Sequence, residues 1–177
     1  GNPKAQLNLG HMYQHGDGCP QDREKAREYF EKSAQQGNAQ AQLSLGLMLL
    51  ENDSQQATNL LERSAEQGNH EAVMNLAHKY MQEDNKARAI ELLASAASKG
   101  DAKAQCELGR MYLEGDGVDR DLKKAEDFLK QAESNDVTES LLYLGDLYNK
   151  LGDKDTARNY YQRALDQKVI GAETRLE

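Results

Sequence analysis

Leu108-Gly109-Arg110-Met111-Tyr112 restates Leu9-Gly10-His11-Met12-Tyr13, and the same kernel returns between and after them. Leu-Gly or Leu-Ala pairs begin at Leu9, Leu45, Leu76, Leu108 and Leu144, roughly 31 to 36 residues apart, the period of helical repeat architectures. Four residues after each Leu comes Tyr13, Leu49, Tyr80, Tyr112 or Tyr148, and four before it Ala5, Ala41, Ala72, Ala104 or Ser140. Steps of four line these side chains along one stripe of a helix. A second segment of each unit carries Ala26, Ala57, Ala89, Ala125 or Ala157. Bulky pairs such as Tyr29-Phe30, Leu60-Leu61 and Tyr160-Tyr161 follow it, and seven residues on stands Ser33, Ser64, Ala96, Ala132 or Ala164. The pattern predicts five units of two amphipathic helices and an all-α fold.

Composition agrees with that reading. Leu and Ala number 44 between them in a chain of 177 residues, against 10 for Val, Ile and Thr, which excludes an extensive sheet. The longest apolar run, Leu47 to Leu50, falls far short of the roughly 18 residues of a bilayer span, so no direct membrane insertion is expected. A net charge of −8 without basic clusters argues against a nucleic-acid partner. Cys19 and Cys106 show no paired spacing that would write a disulfide framework or a CxxC site. The opening Gly1-Asn2-Pro3 lacks Met and reads as a trimmed piece of a longer protein; the compartment stays open between a bacterial envelope or periplasm and a cytoplasm.

Unit boundaries are marked by Gly37-Asn38, Gly68-Asn69 and Gly100-Asp101, where Gly stops one helix in the left-handed conformation and Asn or Asp caps the next. Ser134-Asn135-Asp136 takes this part in the fourth unit. The units then run approximately over 4–37, 38–68, 69–100, 101–136 and 137–168, with a partial sixth over 169–177 in which Ala172 and Leu176 fall in register. No low-complexity linker interrupts them, which predicts a single domain, 1–177. Gly10, Gly46, Gly109 and Gly145 each follow the anchor Leu and are expected to let the partner helix approach closely, despite about 1 kcal/mol of lost helix propensity each.

The fifth unit, with Leu144-Gly145, Tyr148, Ala157, Tyr161 and Ala164, resembles a tetratricopeptide repeat without its closing proline. In the first and fourth units a longer loop carries Gly16-Asp17-Gly18 and Gly115-Asp116-Gly117-Val118, followed by Lys25-Ala26 and Lys124-Ala125. With the Leu-Gly-x-Met-Tyr kernel, this resembles the Sel-one-like repeat, a bacterial and eukaryotic cousin of the tetratricopeptide family. The resemblance spans residues 4 to 177. It implies a right-handed α-α superhelical solenoid of about five helix-turn-helix repeats plus a partial sixth, working as a protein-binding scaffold or adaptor. The RNA-binding pentatricopeptide arrays share the period but lack the Leu-Gly/Tyr signature and tend to be basic.

At about 100° per residue, positions two before, two after and five after each anchor Leu fall near 160°, 200° and 140°, opposite the core stripe. In this repeat family that side lines the concave groove. It reads Leu7, His11, Gln14 in the first unit and Leu142, Asp146, Asn149 in the fifth. Between them come Leu43, Leu47, Leu50; Met74, His78, Met81; and Cys106, Arg110, Leu113. These middle nine residues are the expected partner-binding groove, for a peptide or helix laid across units two to four, with Met74 and Met81 as adaptable contacts and Arg110 oriented toward a carboxylate. The competing expectation is that a tightly curved array closes the same side chains against one another or against a missing repeat. The Asn and Lys arrangement of chaperone-tail clamps is not found on this face.

Chemistry is sparse. His11 and His15, with Asp17 nearby, have a spacing that can hold zinc, but supply only two certain nitrogens. Asp116, Asp119 and Asp121 lack the ligand ladder of a calcium loop, and Cys106 reads as a packed thiol. No catalytic residue, metal or cofactor is expected. Two alternatives remain: a self-association module stacking through its open ends, and a β-lactamase-like enzyme, since some cysteine-rich Sel-one-like proteins have been linked to β-lactam hydrolysis. Those proteins staple each helix pair with a disulfide, and one cysteine in each of two distant units does not provide that framework.

Overall fold

In a computed structural model, which describes residues 1–176 and omits the Leu176 side chain, the chain is an α-α solenoid of helix pairs with no strand among the described residues. First helices are α1 (Pro3–His15), α3 (Ala39–Leu49), α5 (His70–Gln82), α7 (Ala102–Glu114) and α9 (Glu139–Lys150). Their second helices are α2 (Arg23–Gln35), α4 (Ser54–Glu66), α6 (Lys86–Ser98), α8 (Leu122–Ser134) and α10 (Lys154–Asp166). The short α11 (Glu173–Leu176) follows, with Ala172 fully buried just before it. The register expected for Leu176 concerns a side chain outside the described set, and Glu177 lies outside the described residues.

Local signals set the helix limits. Gly37, Gly68 and Gly100 have φ of 85°, 84° and 89°, and the residue after each caps the next helix. Asn38 accepts from the Ala41 amide at 3.0 Å, Asn69 from Ala72 at 3.2 Å and Asp101 from Ala104 at 3.0 Å. The fourth boundary differs. Asp136 takes the left-handed conformation at φ 61°, and α9 starts after Thr138 with no side-chain cap. Asp22, Asp53, Asn85, Asp121 and Asp153 cap the second helices, each by accepting from a first-turn amide.

The chain divides into two compact units, Gly1–Lys79 and Tyr80–Glu177. In the first unit, α1 packs on α2, α3 on α4, and α2 on α3. Phe30, Leu45, Leu49 and Leu60 form its core with Ala26, Ala34, Ala41 and Ala57. In the second unit, α7 pairs with α8 and α9 with α10; α6 packs on α7, α8 on α9, and α7 also touches α9. One core there joins Cys106, Leu113, Leu129, Leu144 and Leu147, and another joins Leu141, Leu142, Tyr161 and Ala172.

The small residues beside the anchors are packing requirements. A Cβ on Gly109 would lie 2.5 Å from Leu129 Cγ, and one on Gly145 2.3 Å from Tyr161 Cε1, so the helices meet where a methyl group would stand. Seven residues after the second-helix alanines, Ser33 and Ser64 are fully buried. Their hydroxyls donate to the carbonyls of Pro3 at 2.8 Å and Ala39 at 2.7 Å, which removes the cost of burying them. The stripe tyrosines stack on second-helix rings: Tyr13 on Tyr29, Tyr112 on Phe128 and Tyr148 on Tyr160, with centroids 5.6, 5.9 and 5.5 Å apart.

Candidate protein-binding face

The open face of a first helix follows from what its neighbours cover. In α7 the buried residues are Ala104, Gln105, Cys106, Leu108, Gly109, Met111 and Leu113. At about 100° per residue they occupy an arc of about 220°, because the helix is covered by its own second helix α8, by the preceding second helix α6 and by the next first helix α9. What remains is Lys103, Glu107, Arg110 and Glu114, at positions five before, one before, two after and six after the anchor. That stripe is centred near 230°, about 65° round from the face expected of the sequence.

The nine expected groove residues therefore separate. Leu43 and Leu113 are each 1% exposed and Cys106 is 6% exposed, so these three lie within the chain's own packing. Positions two before and five after the anchor turn toward the adjoining first helix. Cys106 and Leu113 accordingly share a core with Leu144 and Leu147 of α9. Position two after the anchor stays open: His78 is exposed, and Leu47 and Arg110 are half-buried. Leu50, Met74 and Met81 are half-buried at the margin.

In the first unit the stripe is mixed. Lys4, Asn8 and His15 of α1 and Glu71 and His78 of α5 are exposed, with Leu47 the apolar member between them in sequence. His11 stacks on His15 at 6.3 Å between centroids and sets its edge against Phe30 at 5.0 Å. Among the described residues no group of three or more His, Cys, Asp or Glu side chains could hold a metal ion.

In the second unit the stripe is an ion-pair lattice. Arg110 donates through Nε to Glu107 at 3.1 Å, also bonds Glu114, and reaches Asp116 at 3.5 Å. Glu107, the largest influence, and Glu114 hold the Arg110 guanidinium firmly charged. Asp116 also accepts from Lys86 Nζ at 2.9 Å, and this lysine is the main reason its carboxyl lies below the ordinary range. Further along, Tyr161 Oη and Arg175 Nε both donate to Asp146 Oδ1, at 2.9 and 2.8 Å. Burial first, and then Asp146, raise the Tyr161 hydroxyl above its usual value. The face expected of the sequence held two members of this lattice, Arg110 and Asp146; Glu107 and Arg175 carry no periodic signal that separates them from solvent-facing charges.

Neither cysteine is bonded. Cys19 is half-buried, and burial pushes the Cys106 thiol up to about 12, which keeps it protonated and unreactive at neutral pH. No helix is long and apolar enough to cross a membrane, among the described residues.

The Sel1 repeat family model matches residues 3–38, 39–69, 70–101 and 102–137, most of the chain. The chain belongs to the Sel1 repeat family. A tetratricopeptide repeat model matches 139–167, so this Sel1 repeat chain ends its matched stretch in the related motif. A Sel1 repeat protein of Oxalobacter formigenes is similar at 28% identity and a TM-score of 0.82, over 99% of this chain and 75% of that one. A protective antigen of uropathogenic Escherichia coli strains with the same repeat fold is similar at 28% identity and a TM-score of 0.81. There the match covers 99% of this chain and 41% of the antigen. A putative Sel1 repeat protein of Klebsiella pneumoniae, 24% identical with a TM-score of 0.56 over 99% of this chain and 90% of its own, shares the fold. Among curated proteins no sequence matches. Sel1 and tetratricopeptide repeats typically serve as protein-interaction scaffolds and are generally non-catalytic.

Proposed function

We propose that this Sel1 repeat chain is a non-catalytic adaptor that holds a peptide or helix of a partner protein along the open stripe of its first helices. The observation that carries the reading is the division of α7 into a wide covered arc and a narrow open one, with the open arc beginning two residues after the anchor. Leu47 and His78 provide it in the first unit and Arg110 in the second. An apolar residue among polar ones suits a partner helix anchored by a few side chains. Arg110, already charge-assisted by two glutamates, suits an acidic side chain that takes over one of those bonds. Leu50, Met74 and Met81 at the margin extend the surface, while Leu43, Cys106 and Leu113 support it from beneath.

The test is capture of a partner from the native extract by wild type, Leu47→Glu, Arg110→Ala and Arg27→Glu, the last on an exposed part of α2. The expected result is a specific protein retained by wild type and R27E, lost by L47E and R110A, with all four folded by circular dichroism. Retention by all four variants alike overturns the reading.

A further inference from the structure

We infer that His11 and His15 of α1 chelate a divalent transition-metal ion of the zinc and nickel class, each imidazole giving one ring nitrogen.

The two residues stand two and six places after the anchor Leu9, one helical turn apart on the open side of α1. Residues four apart rise by about 6 Å along a helix and share a face, the spacing at which two histidines of one helix ligate zinc. Their rings lie 6.3 Å apart between centroids and 15° from parallel. His11 is held by its edge contact with Phe30, 5.0 Å away between centroids. Phe30 is fully buried and packs so closely on α1 that no Cβ would fit at Gly10. His15 is exposed and can turn its ring toward that fixed partner.

In α7 the same two positions carry Arg110 and Glu114, whose side chains meet as an ion pair. α7 is packed on α6, α8 and α9, yet these two side chains keep 21% and 47% of their surface. Access at these positions is thus a property of the helix face, and the site does not depend on what precedes α1. The other repeats place Leu47 and Glu51, His78 and Gln82, and Asp146 and Lys150 there. Only the first repeat puts two nitrogen ligands at the pair.

Opposite charges satisfy one another in α7; two imidazoles in α1 do not. The N–H and the lone pair of an imidazole lie in the plane of its ring, so stacked, near-parallel rings cannot hydrogen-bond each other. Beyond the ring contacts with each other and with Phe30, neither side chain has a hydrogen bond or ion pair among the described residues. Each therefore keeps a nitrogen lone pair for an ion. Imidazole suits zinc, copper and nickel, whereas hard cations such as magnesium take oxygen ligands. No third His, Cys, Asp or Glu completes the set among the described residues, so the ion keeps open positions that water fills.

Calorimetric titration with nickel(II) chloride and zinc(II) chloride, and with magnesium chloride as control, tests this. The proteins are wild type, His11→Ala, His15→Ala and His70→Ala, the last an exposed residue at the start of α5. Expected is one nickel or zinc ion per chain in wild type and H70A, no uptake of magnesium, and a roughly tenfold or greater weakening in both H11A and H15A. Nickel is also expected to raise the melting temperature of wild type and to leave that of H15A unchanged. Because His15 is exposed, H15A separates loss of the site from loss of packing against Phe30. A wild type that binds neither ion, binding that H11A and H15A leave intact, or equal uptake of magnesium overturns the inference.

Discussion

At the residue scale, a buried amide shows how a repeat depends on the length of one side chain. Three residues before the anchor, Gln6 and Gln42 accept from Gln36 Nε2 at 2.6 Å and Gln67 Nε2 at 2.8 Å. Both donors also bond the carbonyl four residues back in their own helix, and Asn135 does the same in the fourth repeat. Asn135 is one methylene shorter and stops at that carbonyl, leaving the buried Gln105 Oε1 without a partner among the described residues. Leaving a buried acceptor unsatisfied costs free energy. Asn135→Gln is expected to raise stability by about 1 kcal/mol in chemical denaturation. The same substitution combined with Gln105→Leu, which removes the acceptor, is expected to bring no such gain.

At the element scale, the longer loop after α7 is a fastener onto α6 as well as a turn: Asp116 takes Lys86 Nζ, and Gly117 lies against Lys86 and Ile90. Its glycines share a left-handed backbone with those of the loop after α1, so the strain of adding a side chain is the same at Gly18 and Gly117. Only Gly117 has neighbours pressed onto it, Lys86 and Ile90. Gly117→Ala is therefore expected to lower the melting temperature by more than Gly18→Ala. The difference, of order 1 kcal/mol, isolates packing from conformation. Equal losses would show that the loop serves only as a turn.

The helix pairs, the anchors, the close-approach glycines and three of the four boundaries were legible in the sequence because each is a short-range pattern with a periodic signature. Ala104, Leu108 and Met111 show one reason the open face was not. Their stripe identifies what a helix buries against its own pair, but Cys106 and Leu113 are buried by a different element, α9. Apolar character at 140° and 160° on α7 therefore marks a second interface, with α9. Thr138 is the other departure: the turn at Asp136 precedes a start of α9 whose capping residue makes no side-chain bond to a first-turn amide.

At the scale of the whole molecule, stability is expected to be a sum over helix pairs and the junctions between neighbours, since α3 packs on α2 and α4, and α7 on α6, α8 and α9. This arrangement decides which side chains are free to meet a partner. Its central claim is that in α3 and α7 position two before the anchor belongs to the core, whereas position two after it belongs to the surface. Thermal unfolding of glutamate variants at the two positions is the most direct test. Leu43→Glu and Cys106→Glu are expected to lose about 3 kcal/mol or more through an unpaired buried charge. Leu47→Glu and His78→Glu are expected to stay within about 1 kcal/mol of wild type. Wild-type-like melting of Leu43→Glu and Cys106→Glu would contradict the account.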